Sequence, residues 1–431
     1  MNQPVSLFDR RTATTIVIAN MIGTGVFTSL GFQLMNINNP SIILFLWIIG
    51  GVIAFCGALC YAELGSAYPR SGGEYNFLRE TYHPAAGFIS GWVSVTVGFS
   101  APTAAVAITA CAYLQTIFPY LPVKLTSITM VVVVGSFHLA NRSYSAAFQQ
   151  IMTFTKIIFI FLFMILAWVA TSQFQLLSWD ISKDDIISVE ASAIAVALIF
   201  VNYAYTGWNA ATYLIGEMSN AERDLPKALL QGTGFVTLLY VLLHITFLSI
   251  APMDEMRGKV EIAGIVADHA FSPERGWFVS FMLSALLIST ISAMLIAGPR
   301  AMQVIGQDFP AFKLLAKTNE SDLPYMAIIS QMLITIVLII TSGFEQIIVF
   351  AGSLLALNSL LTVIGVVILR FRDLQTTSHF KMPWYPAPVL VYSLIISATL
   401  IYALGNRPTE AAIVAAVILS GAFVYKISAH R

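Results

Sequence analysis

Two glycine-broken stretches and one lysine are the residues whose types and spacing could do chemistry in this chain. Ile22-Gly23-Thr24-Gly25-Val26 falls in the middle of one apolar segment, and Tyr205-Thr206-Gly207-Trp208-Asn209 in the middle of another. Glycine weakens a helix by about 1 kcal/mol relative to alanine and tolerates backbone shapes that other residues resist. An interrupted helix leaves unpaired N–H groups at the start of one half and unpaired C=O groups at the end of the other. The N–H end carries a partial positive charge and suits a carboxylate. The carbonyl end suits an ammonium or a metal cation. An amino acid carries both groups on one carbon, and a broken helix offers both partners at one place.

One glycine cluster alone reads most simply as a surface for close helix packing. Two clusters, in the first and sixth apolar segments, point elsewhere. Interruptions at corresponding positions of two halves are the sequence mark of a transport site in inverted-repeat carriers. Non-helical backbone at that depth must be buried in protein or line a watery cavity.

Lys156 is the single charge near the middle of an apolar segment, about twelve residues from either end. At 1.5 Å per residue that is about 18 Å from each interface, beyond the reach of a snorkelling stem. A charge at the bilayer centre costs at least about 2.5–3.5 kcal/mol, so the ammonium is expected to meet protein groups or water.

The elements that must position these residues are membrane helices. Of the 431 residues, 58% are hydrophobic and 10% charged, against about 45–50% and about 25% in soluble domains. Helical spans of about 20 apolar residues are predicted near 13–36, 41–65, 86–112, 124–140, 145–170, 191–215, 228–251, 276–298, 325–342, 346–369, 385–404 and 410–427. The loop near 252–275 reads as short helices lying on the protein, and the one near 299–324 as a polar connection. The amino terminus does not look like a cleaved leader. Fifteen of the 22 Lys and Arg residues fall in loops on the amino-terminal side and six on the other. That bias predicts both termini in the cytoplasm of a multi-pass cell-membrane protein.

Net charge is zero, which gives no reason to expect nucleic acid. Cys56, Cys60 and Cys111 lie in apolar stretches without the His or carboxylate neighbours of a metal site, and read as buried thiols. No hydrolase elbow or phosphate loop is present. The chain reads as a carrier and not an enzyme, with no cofactor and with membrane lipid around it. The alternative from another class is a membrane sensor that binds an amino acid without moving it.

The same residues resemble a known family. Met21-Ile22-Gly23-Thr24-Gly25-Val26-Phe27 is similar to the first-span motif of the amino acid–polyamine–organocation superfamily, especially its L-type amino acid transporter branch. Tyr61-Ala62-Glu63-Leu64-Gly65 through Pro69-Arg70-Ser71-Gly72-Gly73-Glu74-Tyr75 is a second and more specific match. Tyr203 through Asn209, with the stretch from Glu217 to Pro226, is a third, and Arg300 after the eighth span also fits. The resemblance covers essentially the whole chain, though spans 11 and 12 match only in pattern.

It implies an all-α integral membrane fold of twelve helices with helices 1 and 6 discontinuous. Residues 1–170 would form the first repeat of an inverted 5+5 pair and 191–369 the second, with 385–427 added. It implies that the N–H groups of Thr24 and Gly25 bind the substrate carboxylate. The carbonyls of Met21, Tyr203 and Thr206 would take the ammonium, with Ile22, Gly23, Ala204 and Gly207 completing the two breaks. Tyr203 falls where the family has an outer gate, and Asn209 where it has a polar wall. In related folds sodium bridges the first span to eighth-span hydroxyls. Here Lys156 is expected to replace it, bonding first-span carbonyls and Thr290, which predicts sodium-independent transport by exchange or with a proton. Whether Lys156 is a fixed cation or a proton carrier stays open. Thr206 departs from the small or acidic residue of close relatives, so the pocket is reshaped. The loop from Gln115 to Val123 lacks the cysteine by which animal relatives attach a glycoprotein heavy chain, so no such partner is expected. Asp and Glu fall in loops and at span ends, leaving no buried carboxylate for a cationic side chain, and small neutral amino acids are the expected substrate. His138 and His244 read as packed residues.

Overall fold

Runs of apolar residues long enough to cross the bilayer become helices here, and capping residues mark their starts. In the computed structural model, which describes residues 9–140, 142–172, 174–175, 190–319, 323–372 and 380–429, the Asp9 side chain accepts the Thr12 N–H at 2.8 Å. Asn39 accepts the N–H groups of Ser41 and Ile42 just before Pro40 opens the second span. His83 does the same for Ala85 ahead of Pro84 at the third. A proline at the first helical position loses nothing, because its missing N–H has no partner there anyway.

Among the described residues, ten helices are long and apolar enough to span a membrane, and the shorter apolar helices Val123–Leu139 and Tyr325–Thr341 bring the number to twelve. The fold is the all-helical, twelve-span architecture, with the first and sixth spans discontinuous. The first is Arg10–Met21 followed by Gly25–Gln33. The sixth is Ala191–Tyr205 followed by a tighter helix, Ala210–Glu217. Spans near the breaks are deeply packed, and 78% of the third span's apolar window is buried. For the twelfth span, Pro408–Ser428, the figure is 11%, which puts it at the lipid-facing edge.

The loop after the seventh span forms the expected short helices, Met253–Met256 and Ile262–Phe271. The segment expected as a polar connection near 299–324 differs. The eighth span runs unbroken from Pro273 through Pro299 to Asp308, because its last turns have a partner. Asp308 accepts from Arg70 at 2.8 Å, Arg79 at 2.7 Å and the Tyr75 hydroxyl at 2.5 Å, tying this helix end to the loop after the second span. The third span carries a π-helical turn at Ser94–Gly98, just before Pro102. Such single turns inside α-helices are frequent at functional sites.

Candidate substrate and coupling site

The two breaks lie against each other. A Cβ built on Gly25 would fall 2.5 Å from the Ala204 Cα, and one on Gly207, whose φ is +100°, would fall 2.7 Å from the Asn20 carbonyl. Only glycine allows both the backbone shape and the approach. The helix starting at Gly25 leaves the N–H groups of Thr24 and Gly25 without a helical partner. Thr24 is buried, and its carbonyl accepts the Phe27 N–H and the Thr28 hydroxyl.

The carbonyl ends are more heavily engaged than the sequence foretold. The Met21 oxygen accepts from the Gly23 N–H at 2.8 Å and from the Tyr240 hydroxyl at 2.5 Å. The Tyr203 oxygen accepts the N–H and the hydroxyl of Thr206, at 3.0 and 2.6 Å. Tyr240 also reaches the Ala204 carbonyl at 3.1 Å, so one seventh-span hydroxyl touches both breaks. Sequence reasoning missed it, since a tyrosine inside an apolar span carries no pattern of its own.

Lys156 stands midway along the helix Arg142–Ala170 and is 1% exposed. Its Nζ donates to the Ile22 carbonyl at 2.6 Å and to Thr290 Oγ1 at 2.9 Å. The Thr290 methyl lies 3.7 Å from where a Gly23 Cβ would sit. The ammonium thus bridges the first-span break to the eighth span.

A cavity of about 60 Å³ opens beside the sixth-span break, lined among others by Asn20, Glu74, Phe99, Thr206, Gly207 and Asn209. Thr24, Gly25, Lys156 and Thr290 are not in its wall, so the expected residues form two neighbourhoods on either side of the first-span break. Tyr203 is buried beside Gly352.

Glu74 overturns the expectation that no buried carboxylate reaches the site. It is 3% exposed and accepts from the Tyr61 hydroxyl at 3.0 Å, from the Asn209 amide and from the Tyr213 hydroxyl. Burial pushes its carboxyl above the usual carboxylate range, while the three donors pull the other way. Among the described residues, no group of three or more His, Cys, Asp and Glu side chains is placed to hold a metal ion.

Twelve helices with two of them broken side by side at membrane depth define a secondary transporter. The chain belongs to the amino acid permease family, whose sequence profile matches residues 8–423, and it is a membrane transporter of amino acids. It is 27% identical to the human (Homo sapiens) b(0,+)-type amino acid transporter 1, covering 96% of this chain and 86% of that one. It is 25% identical to the large neutral amino acids transporter small subunit 2 of Rattus norvegicus, covering 97% of this chain and 80% of the relative.

Proposed function

We propose that the chain carries small neutral L-amino acids without sodium, by amino acid exchange or together with a proton. The observation that carries the sodium-independent reading is the Lys156 ammonium between the Ile22 carbonyl and Thr290. It brings a positive charge and donors to the place where a cation would otherwise join the first and eighth spans. The substrate carboxylate binds the free N–H groups of Thr24 and Gly25, at the positive end of a half-helix. Its ammonium faces the carbonyls of Met21, Tyr203 and Thr206, two of which must exchange their present donors for it. Tyr203 closes the outer side. Residues 1–170 and 191–369 act as two inverted repeats, a reading supported by breaks in the first and sixth spans.

Both termini lie in the cytoplasm, supported by the excess of Lys and Arg in the loops on that side. The protein works without a glycoprotein heavy chain. The support is that the segment from Gln115 to Val123 contains no cysteine, and the nearest one, Cys111, is buried.

Purified protein in liposomes tests this with labelled alanine, serine and leucine, with or without internal amino acid, sodium or a pH gradient. Uptake of the small substrates that ignores sodium is the expected result. Uptake that demands sodium overturns the coupling assignment, and binding without any uptake turns the protein into a sensor.

A further inference from the structure

Among the carboxylates on the amino-terminal face, Glu63 and Asp308 have arginine partners. Glu63 is held by Arg370 through both oxygens at 2.8 Å, and Asp308 by Arg70 and Arg79. Glu74 has neither lysine, arginine nor histidine against it among the described residues. Its partners Tyr61, Asn209 and Tyr213 are neutral and come from the second span and the inner half of the sixth. A carboxylate taken out of water without a counter-charge is unfavourable, so this site is one positive charge short.

The surroundings say which charge fits. Glu74 shares a cavity with Thr206, Gly207 and Asn209, the segment that grips the substrate in the transport reading. The Met21 and Tyr203 carbonyls each hold two protein donors in this conformation, and Glu74, which has three neutral donors, stands at the cavity wall as an acceptor without a counter-charge. The chain is built to put it there. Gly72 and Gly73 have φ of +124° and +55°, and a Cβ on Gly73 would fall 2.6 Å from the Tyr213 ring. That turn swings Glu74 back under the sixth span.

We infer that Glu74 is a second, transient binding subsite for the substrate's ammonium group, on the path between the broken helices and the amino-terminal face. The inference rests on the transport reading above. An amino acid released from the break passes its ammonium to Glu74, which trades neutral hydrogen bonds for a charged one. The subsite therefore acts on substrate met from that face and is silent toward substrate arriving from the other.

The test uses liposomes with the sidedness of the inserted protein assigned, labelled alanine as substrate and ethylammonium chloride as a probe that has the ammonium and no carboxylate. Ethylammonium on the amino-terminal face is expected to raise the apparent KM for alanine there and to leave the opposite face unaffected. E74Q keeps the shape, abolishes that competition and raises the KM on that face by about tenfold, the worth of one hydrogen bond to a charged group. Equal competition on both faces, no competition at all, or an E74Q protein with unchanged KM overturns the subsite. If E74Q does not fold, the competition on the unaltered protein decides alone. A protein that moves alanine but fails these measurements loses the subsite only. One that moves no amino acid overturns both readings.

Discussion

The Tyr240 hydroxyl lies 2.5 Å from the Met21 carbonyl oxygen, where the amino-terminal half of the first span ends. It is 3.1 Å from the Ala204 carbonyl in the sixth span as well. One hydroxyl has one proton, so its bond is shared between the two broken helices and can shift from one to the other. In the proposed substrate site, an arriving ammonium would compete for the same Met21 oxygen. Tyr240→Phe removes the shared bond and leaves the ring packed against Trp47 and Tyr205. The variant should fold, lose about 0.5–1.5 kcal/mol of stability and show slower alanine turnover. Initial rates in liposomes beside a melting curve in detergent check this, and a wild-type rate in the variant removes Tyr240 from the mechanism.

Gly23 and Gly25 are two residues apart but differ in the room around them. A methyl on Gly23 would meet only the Thr290 methyl at 3.7 Å and the Met21 oxygen at 3.9 Å, both ordinary contacts. A methyl on Gly25 would sit 2.5 Å from a backbone atom of Ala204, and overpacking of that kind costs about 1–3 kcal/mol. Gly25→Ala is expected to melt at a clearly lower temperature than Gly23→Ala. Equal melting of the two variants would mean that the spans do not approach as described.

The contrast between these glycines and Glu74 shows what the sequence could reveal. The breaks were legible because glycines at the middle of apolar segments conflict with a plain span, and Lys156 because a charge at mid-membrane needs a reason. Thr290 was found through family position. Glu74 was not legible, since a carboxylate in a connection between spans reads as solvated. Its burial comes from the turn at Gly72 and Gly73 and from the ring of Tyr213, more than a hundred residues away. The helical extension to Asp308 was hidden for the same reason: its partners Arg70, Tyr75 and Arg79 lie far off in the chain.

Lys156 has two hydrogen bonds to lose, one to Ile22 and one to Thr290. Bonds to a charged group contribute about 1.5–3 kcal/mol each. Lys156→Met keeps most of the length without the charge, and its alanine uptake is expected to fall by at least about tenfold. Replacing sodium with choline outside the liposomes should leave the unaltered protein's rate as it was. A sodium requirement, or a Lys156→Met protein working at the normal rate, rules out the ammonium as the bridge.

Glu74 also sets a pH dependence whose sign follows from its surroundings. Burial raises its carboxyl above the ordinary 4.5, so between the unfolded and folded values the folded protein binds more protons than the unfolded chain. Stability then declines as pH rises through that window. The contribution is full below about 4.5 and is lost as pH passes the folded value, with a limiting slope of about 1.4 kcal/mol per pH unit. The groups facing the carboxyl, Tyr61, Asn209, Tyr213 and Tyr392, are an amide and phenols, none of which ordinarily titrates in the acid range. Other carboxylates, Glu63 and Asp308 among them, are common to wild type and E74Q and cancel in the difference. The wild-type melting temperature should therefore drop relative to that of E74Q as pH is raised from about 4 toward neutrality. A difference that stays flat, or that grows in favour of the wild type, would mean that the carboxyl is not held in a desolvated site.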